Sequence, residues 1–162
     1  MSIVWHYTTG ECFRSIVNDG YIDVSRALVP IHERPIVWFS SNETWEHTAT
    51  KAIRINGLIH RCTFEEMTRF SGVVRIGVTR LVAKHGWPSL GREAHMTQET
   101  MKGLERAAKA VGATPGKWSG TFSPVPRSRW SAVDVWHEGH WVTISLDAEA
   151  TARMQPSYAP NP

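Results

Sequence analysis

The chain has 162 residues, and its lysines and arginines exceed its aspartates and glutamates by 18 − 15 = 3. That length suits one domain with one core, and 41% hydrophobic against 20% charged residues is the composition expected of an ordinary soluble globular protein. The mild basicity permits a nucleic acid or dinucleotide partner without demanding one, since the positive charges are scattered and form no binding arm.

Trp5-His6-Tyr7-Thr8-Thr9 reads as a strand running into a helix cap. Thr8-x-x-Glu11 has capping-box spacing, so Thr8 is expected to satisfy the Glu11 amide. The helix that follows carries Cys12, Phe13, Ile16 and Val17 on its apolar face, with Cys12 expected as a buried thiol and Gly20 as the stop. Tyr21, Ile22 and Val24 predict a short strand, and the loop through Pro30, His32, Glu33 and Arg34 is expected near the site. After Pro35, Ile36-Val37-Trp38-Phe39 is a second apolar strand. Ser40-x-x-Glu43 then predicts another capping box, opening a helix through Trp45 and Ala49 to Lys51. Two strand ends would thus each bring a polar residue and an aromatic beside free helix amides, so a ligand there would meet His6, Trp38 and Ser40.

In 52–62, Asn56-Gly57 marks a tight turn between apolar runs. Thr63-x-x-Glu66 caps a short helix to Phe70, 72–79 is a clear strand, and 80–96 is irregular. From Thr97 a helix carries Met101, Leu104, Ala108 and Val111 at helical spacing and ends at Gly112. Three strands follow at 117–123, 131–136 and 141–146, the last two joined by the hairpin loop His137-Glu138-Gly139-His140. The composition beyond Asp147 predicts a flexible tail over 151–162. The expected architecture is a single α+β domain over 1–150, with helices early and antiparallel strands late.

Several chemistries lack their signatures. There is no HExxH or CxxC, and His32, His47, His60, His85 and His95 show no metal-ligand spacing, so no metal site is expected. His137 and His140 belong to a solvated turn. The chain holds no GxSxG elbow, phosphate loop or GxGxxG fingerprint, and two cysteines, Cys12 and Cys62, make no disulfide framework. No stretch approaches a membrane span, so a cytoplasmic protein with no membrane partner is expected. Eight tryptophans offer packing and a stacking platform for a flat ring.

A strand ending in His-x-Thr, a helix, then an aromatic strand followed by a small polar residue resembles the ADP-ribosyltransferase superfamily. Trp5-His6-Tyr7-Thr8-Thr9 resembles the opening histidine motif of poly(ADP-ribose) polymerases, tRNA 2′-phosphotransferases and DNA-modifying ADP-ribosyltransferase toxins. Val37-Trp38-Phe39-Ser40 resembles the tyrosine-bearing strand of the polymerases, and Thr48-Ala49 resembles their Ser-Ala pair. The resemblance covers about residues 3–51.

It implies a split β-sheet core with short helices gripping NAD as substrate. His6 and Thr8 would stand in the ribose-binding motif, the Tyr7 backbone would hold the carboxamide, and Trp38 and Tyr21 would wall the ring. Ser40 would lie at the strand end, and the Thr48 hydroxyl would bind the nicotinamide amide. The reaction would cleave the N-glycosidic bond and pass ADP-ribose to a protein, nucleic acid or small-molecule acceptor, as in small toxins and anti-phage factors. One feature departs from the family: no acid lies between Glu105 and Asp134, where a late-strand glutamate belongs, and Ser123 is the nearest match. Asp134 or Glu138 could substitute, or the chain could bind NAD, ADP-ribose or RNA without catalysis. It could also rely on histidine and arginines, with Arg14, Arg54 and Arg75 as candidates, as the phosphotransferases do.

Overall fold

The computed structural model describes residues 2–146, so the expected tail over 151–162 lies outside the described residues. Strand β1 (Ile3–Thr9) leads into helix α1 (Gly10–Asp19), and a short β2 (Tyr21–Ile22) precedes β3 (Val37–Ser40). A hairpin of β4 (Ala52–Ile55) and β5 (Leu58–Arg61) is followed by α2 (Phe64–Phe70) and β6 (Val73–Thr79). Next come β7 (His85–Gly86), α3 (Ser89–Glu93), α4 (Gln98–Ala110), β8 (Trp118–Thr121) and β9 (Val125–Pro126). Strands β10 (Trp130–His137) and β11 (His140–Thr143) complete the described chain. The expected α+β class is what is found.

Seven strands form one antiparallel sheet in the order β11-β10-β6-β1-β3-β8-β7. Alternation along the strands divides its faces. Val4, Val37, Phe39, Val74, Ile76 and Val78 enter a core that includes Phe13 of α1. Trp5, Tyr7 and Val73 face the other way and pack with Trp45, Cys62 and Met67. In the centre, β1 pairs with β6 along its whole length but is joined to β3 at a single register position, Trp5 opposite Ser40. That thin seam positions the site.

Local chemistry explains where the elements depart from expectation. The first cap is Thr9, which accepts from the Cys12 amide, because β1 stays paired through Thr9 opposite Val73 and Thr8 is still a ladder residue. Gly10 begins the helix against the carbonyl of Ser71, where an added Cβ would lie 2.6 Å from that oxygen. Cys12 is exposed, correcting the buried thiol: the stripe of Phe13, Ile16 and Val17 faces the core, and Cys12 is turned about 100° from Phe13.

The helix expected from Ser40 to Lys51 does not form. The Ser40 hydroxyl donates to Glu46 at 2.7 Å and accepts from the Asn42 amide at 3.1 Å, which commits it to a bend. Only one 3₁₀ turn, His47–Ala49, follows, and its cap is Glu46. By contrast Thr63 and Glu66 make the expected capping box, and Asn56-Gly57 turns the hairpin with φ of 48° and 82°. The 80–96 stretch is less irregular than expected, since β7 and α3 lie within it.

Candidate functional site

A cavity of about 670 Å³ opens beside the β1–β3 seam, within the range of small-molecule sites. The sheet contributes Trp5, His6, Tyr7, Trp38 and Ser40 to its wall. The segment after β3 adds Glu46, Thr48 and Lys51, and the end of β5 adds Arg61. Opposite stand Leu104, Ala107 and Ala110 of α4 and its C-cap Val111, with Trp118 of β8. The cavity therefore has an apolar pole, where Trp38 and Trp118 meet edge to face at 6.1 Å, and a polar, charged pole.

His6 spans the seam. Its Nδ1 lies 3.0 Å from the carbonyl oxygen of Trp38, and a carbonyl only accepts, so Nδ1 carries the hydrogen. Burial pushes the imidazole below its ordinary value; the Trp38 carbonyl opposes that shift and Lys51 adds to it. A neutral ring with a bonded Nδ1–H leaves Nε2 as an acceptor for a ligand hydroxyl or amide.

Glu46 is the acid of the cavity. It is buried, yet its carboxylate is met by hydroxyls and an amide, not by a cation. Ser40 Oγ donates to Oε2 at 2.7 Å, while Thr48 Oγ1 and the Thr48 amide donate to Oε1 at 2.7 and 3.2 Å. Oε2 retains a lone pair for a further donor. Tyr7 donates its hydroxyl to the carbonyl of Asn42, and burial raises its phenol to about 12, so it remains protonated. The indole N–H of Trp118 is buried without an acceptor among the described residues.

Five residues singled out in the sequence thus meet at one cavity: His6, Tyr7, Trp38, Ser40 and Thr48. Thr8, Tyr21 and Ser123 lie elsewhere. Thr8 is buried in the β1–β6 ladder, Tyr21 is exposed opposite Pro126, and Ser123 is exposed in the bend after β8. Pro30, His32, Glu33 and Arg34, the loop expected near the site, line no part of the cavity, whereas Ser25 before them does.

Neither substitute acid is available to this cavity. Asp134 is buried against Arg75, with Nε and Nη2 at 2.8 and 2.7 Å from Oδ2, and Thr143 donates to its other oxygen at 2.8 Å. Glu138 is exposed at the tip of the last hairpin. Among the candidate arginines, Arg75 is spent on Asp134, while Arg14 and Arg54 are exposed and line no part of the cavity. Among the described residues, no three His, Cys, Asp or Glu side chains are placed to hold a metal, and no helix is long and apolar enough to cross a membrane.

Sequence reading missed Glu46, Lys51, Arg61 and the α4 wall. Glu46 was hidden because Glu43, three residues after Ser40, has the capping-box spacing, whereas the bond runs from Ser40 to the sixth residue. Arg61 reaches the cavity because the hairpin places it opposite Ala52, next to Lys51. No protein-family model matches the chain, and neither a curated protein nor a solved structure matches it.

Proposed function

We propose that the chain binds NAD in this cavity and transfers its ADP-ribose to an acceptor. The carrying observation is convergence: His6, Trp38, Ser40 and Thr48, the motif residues that resemble ADP-ribosyltransferases, line one cavity with the buried carboxylate of Glu46. The cavity also suits a dinucleotide chemically, having a tryptophan pole for a flat ring and a pole with hydroxyls and two cations.

In this reading His6 Nε2 accepts a ribose hydroxyl, its ring fixed by the Trp38 carbonyl. Trp38 walls the nicotinamide, and the Thr48 hydroxyl, already donating to Glu46, accepts from the carboxamide. Lys51 and Arg61 lie toward the pyrophosphate. The N-glycosidic bond breaks with its electron pair leaving on nicotinamide. The acceptor oxygen or nitrogen then bonds to the anomeric carbon and loses a proton. Glu46, held in place before reaction, opposes the positive charge that develops on the ribose. It stands in for the acid that the late strands do not bring to the cavity.

A second reading, an NAD or ADP-ribose binder without turnover, is favoured by one observation: Asp134 is locked to Arg75 and Ser123 is outside the cavity. Titrating NAD while following tryptophan fluorescence and nicotinamide release separates the two. Saturable quenching that vanishes in Trp38→Ala, with nicotinamide released, is expected for the enzyme. Quenching without release supports the binder, and no quenching overturns both.

A further inference from the structure

The β4–β5 hairpin stands apart from the rest of the fold. It forms a two-stranded sheet of its own, and every residue from 51 to 61 is exposed except His60, which is half-buried against Glu66. Its register sorts its side chains. Ile55 faces Leu58 at the tip beside Asn56-Gly57, and Ile53 lies on the same face. Arg54 and Ile59 lie on the other, above Ala52 and Arg61 at the base. Ile53, Ile55, Leu58 and Ile59 are 42%, 49%, 75% and 74% exposed. Aliphatics so placed cost solvation and contribute nothing to the core. The same eleven residues carry Lys51, Arg54 and Arg61 and no acid.

We infer that this hairpin docks on an anionic phospholipid surface. A bilayer presents phosphates above hydrocarbon, and the hairpin has the complementary order, an aliphatic tip and a cationic base roughly 10 Å behind it. Arg54 Nη1 lies 3.5 Å from the Gly57 carbonyl at the turn, and because the side chain is exposed it is free to swing back toward the phosphates on docking. Cations near the surface add attraction to acidic headgroups, and the net charge of +3 does not oppose it. A nucleic acid would gain little from four aliphatics, which neither stack on bases nor pair with them. A second segment near the cavity also presents aliphatics: beyond Ser25, Leu28 and Ile31 are fully exposed, while Arg26 pairs with Asp23 and Arg34 lies over the Phe122 ring. Docking would hold the mouth lined by Ser25, Lys51 and Arg61 close to the lipid surface. This differs from spanning a membrane.

The test is co-sedimentation of the full chain with phosphatidylcholine vesicles, with and without phosphatidylserine. The wild type is expected to partition roughly tenfold more strongly onto the anionic vesicles, and high salt to weaken that binding. Ile55→Asp with Leu58→Asp should reduce partition at least about tenfold, and Arg54→Glu should do so by roughly the same factor. Thermal melts should be unchanged in all three substitutions, whose side chains are exposed. Equal partition onto neutral vesicles overturns the proposal, and so does wild-type binding by the Ile55/Leu58 variant. Absence of binding to either vesicle also overturns it and would assign the aliphatic face to a protein partner. None of these outcomes depends on NAD.

Discussion

The ring of His6 reaches across the β1–β3 seam to the backbone of Trp38, its Nδ1 at 3.0 Å from the carbonyl oxygen. That bond adds a side-chain tie to the Trp5–Ser40 pairing of the two strands, and it fixes which nitrogen carries the hydrogen. The carbonyl of Trp38 sets the tautomer of His6, and His6 in turn ties β1 to the strand that presents the Trp38 ring.

Stability should record the burial of His6 through pH. The folded pKa of His6 is lowered by burial from the ordinary value of 6.5, which the unfolded chain keeps. Below 6.5 the unfolded chain takes up a proton that the folded chain does not. His6 thus costs no stability above 6.5 and costs progressively more as pH falls toward the folded pKa. His6→Gln keeps a donor for the Trp38 carbonyl but cannot titrate. Urea midpoints of wild type and variant should run parallel above 6.5, with the wild type falling more steeply below it. Parallel curves throughout would refute this account.

Glu46→Gln should separate folding from turnover. The amide offers one acceptor oxygen where the carboxylate offers two, and it turns a donor toward Ser40 or Thr48. Leaving a buried hydroxyl badly paired costs about 1–3 kcal/mol, measurable by urea denaturation. If Glu46 opposes charge on the ribose, quenching by NAD should persist while nicotinamide release falls at least about a hundredfold. Undiminished release would remove Glu46 from the mechanism and leave it as the tie between the bend and the 3₁₀ turn.

Several local signals in the sequence were read correctly, although the first cap is Thr9 and not Thr8. The Thr63–Glu66 box, the Asn56-Gly57 turn, the Thr97 cap and the glycine after α4 are settled within a few residues. Ser40 failed because its hydroxyl had two local options, a helix cap or a bend, and the buried carboxylate of Glu46 decided between them. Cys12 failed by one helical step, since only packing fixes which face of a short helix turns inward. Within the site, the strand residues were legible from their motifs. The α4 wall was not, because its juxtaposition with Trp38 depends on how distant elements pack.

The Arg75–Asp134 pair should prove structural and expensive to break. The guanidinium lies between the rings of Trp5 and Trp141, 3.9 and 4.4 Å from their centroids, and bonds the buried carboxylate through two nitrogens. It also donates to the Glu43 carbonyl, which ties the sheet to the segment bearing Glu46. Asp134→Asn leaves a buried cation without its counter-charge, at roughly 3–5 kcal/mol. Arg75→Met should cost as much, and Arg75→Met with Asp134→Leu should recover part of the loss in a urea-denaturation cycle. Additive losses would show that the two residues are not coupled.

Gly120 controls the position of the Trp38 wall. It lies opposite Trp38 in the β3–β8 ladder, and His85 of β7 is its partner on the other side. A Cβ there would sit 2.7 Å from a methyl of Ile36, 2.9 Å from the Val37 carbonyl oxygen and 3.0 Å from a methyl of Leu90. The methyl groups can turn aside, but the Val37 oxygen moves only if β3 shifts against β8. Gly120→Ala should therefore destabilise by roughly 1–3 kcal/mol, the usual cost of overpacking, and weaken NAD quenching by displacing Trp38. Gly116→Ala is the control, because an added Cβ at that position meets nothing within 4 Å. It should melt within about 0.5 kcal/mol of wild type and quench normally. If Gly120→Ala matches that control in both measurements, β3 has slack at Val37, and this close approach does not fix the position of Trp38.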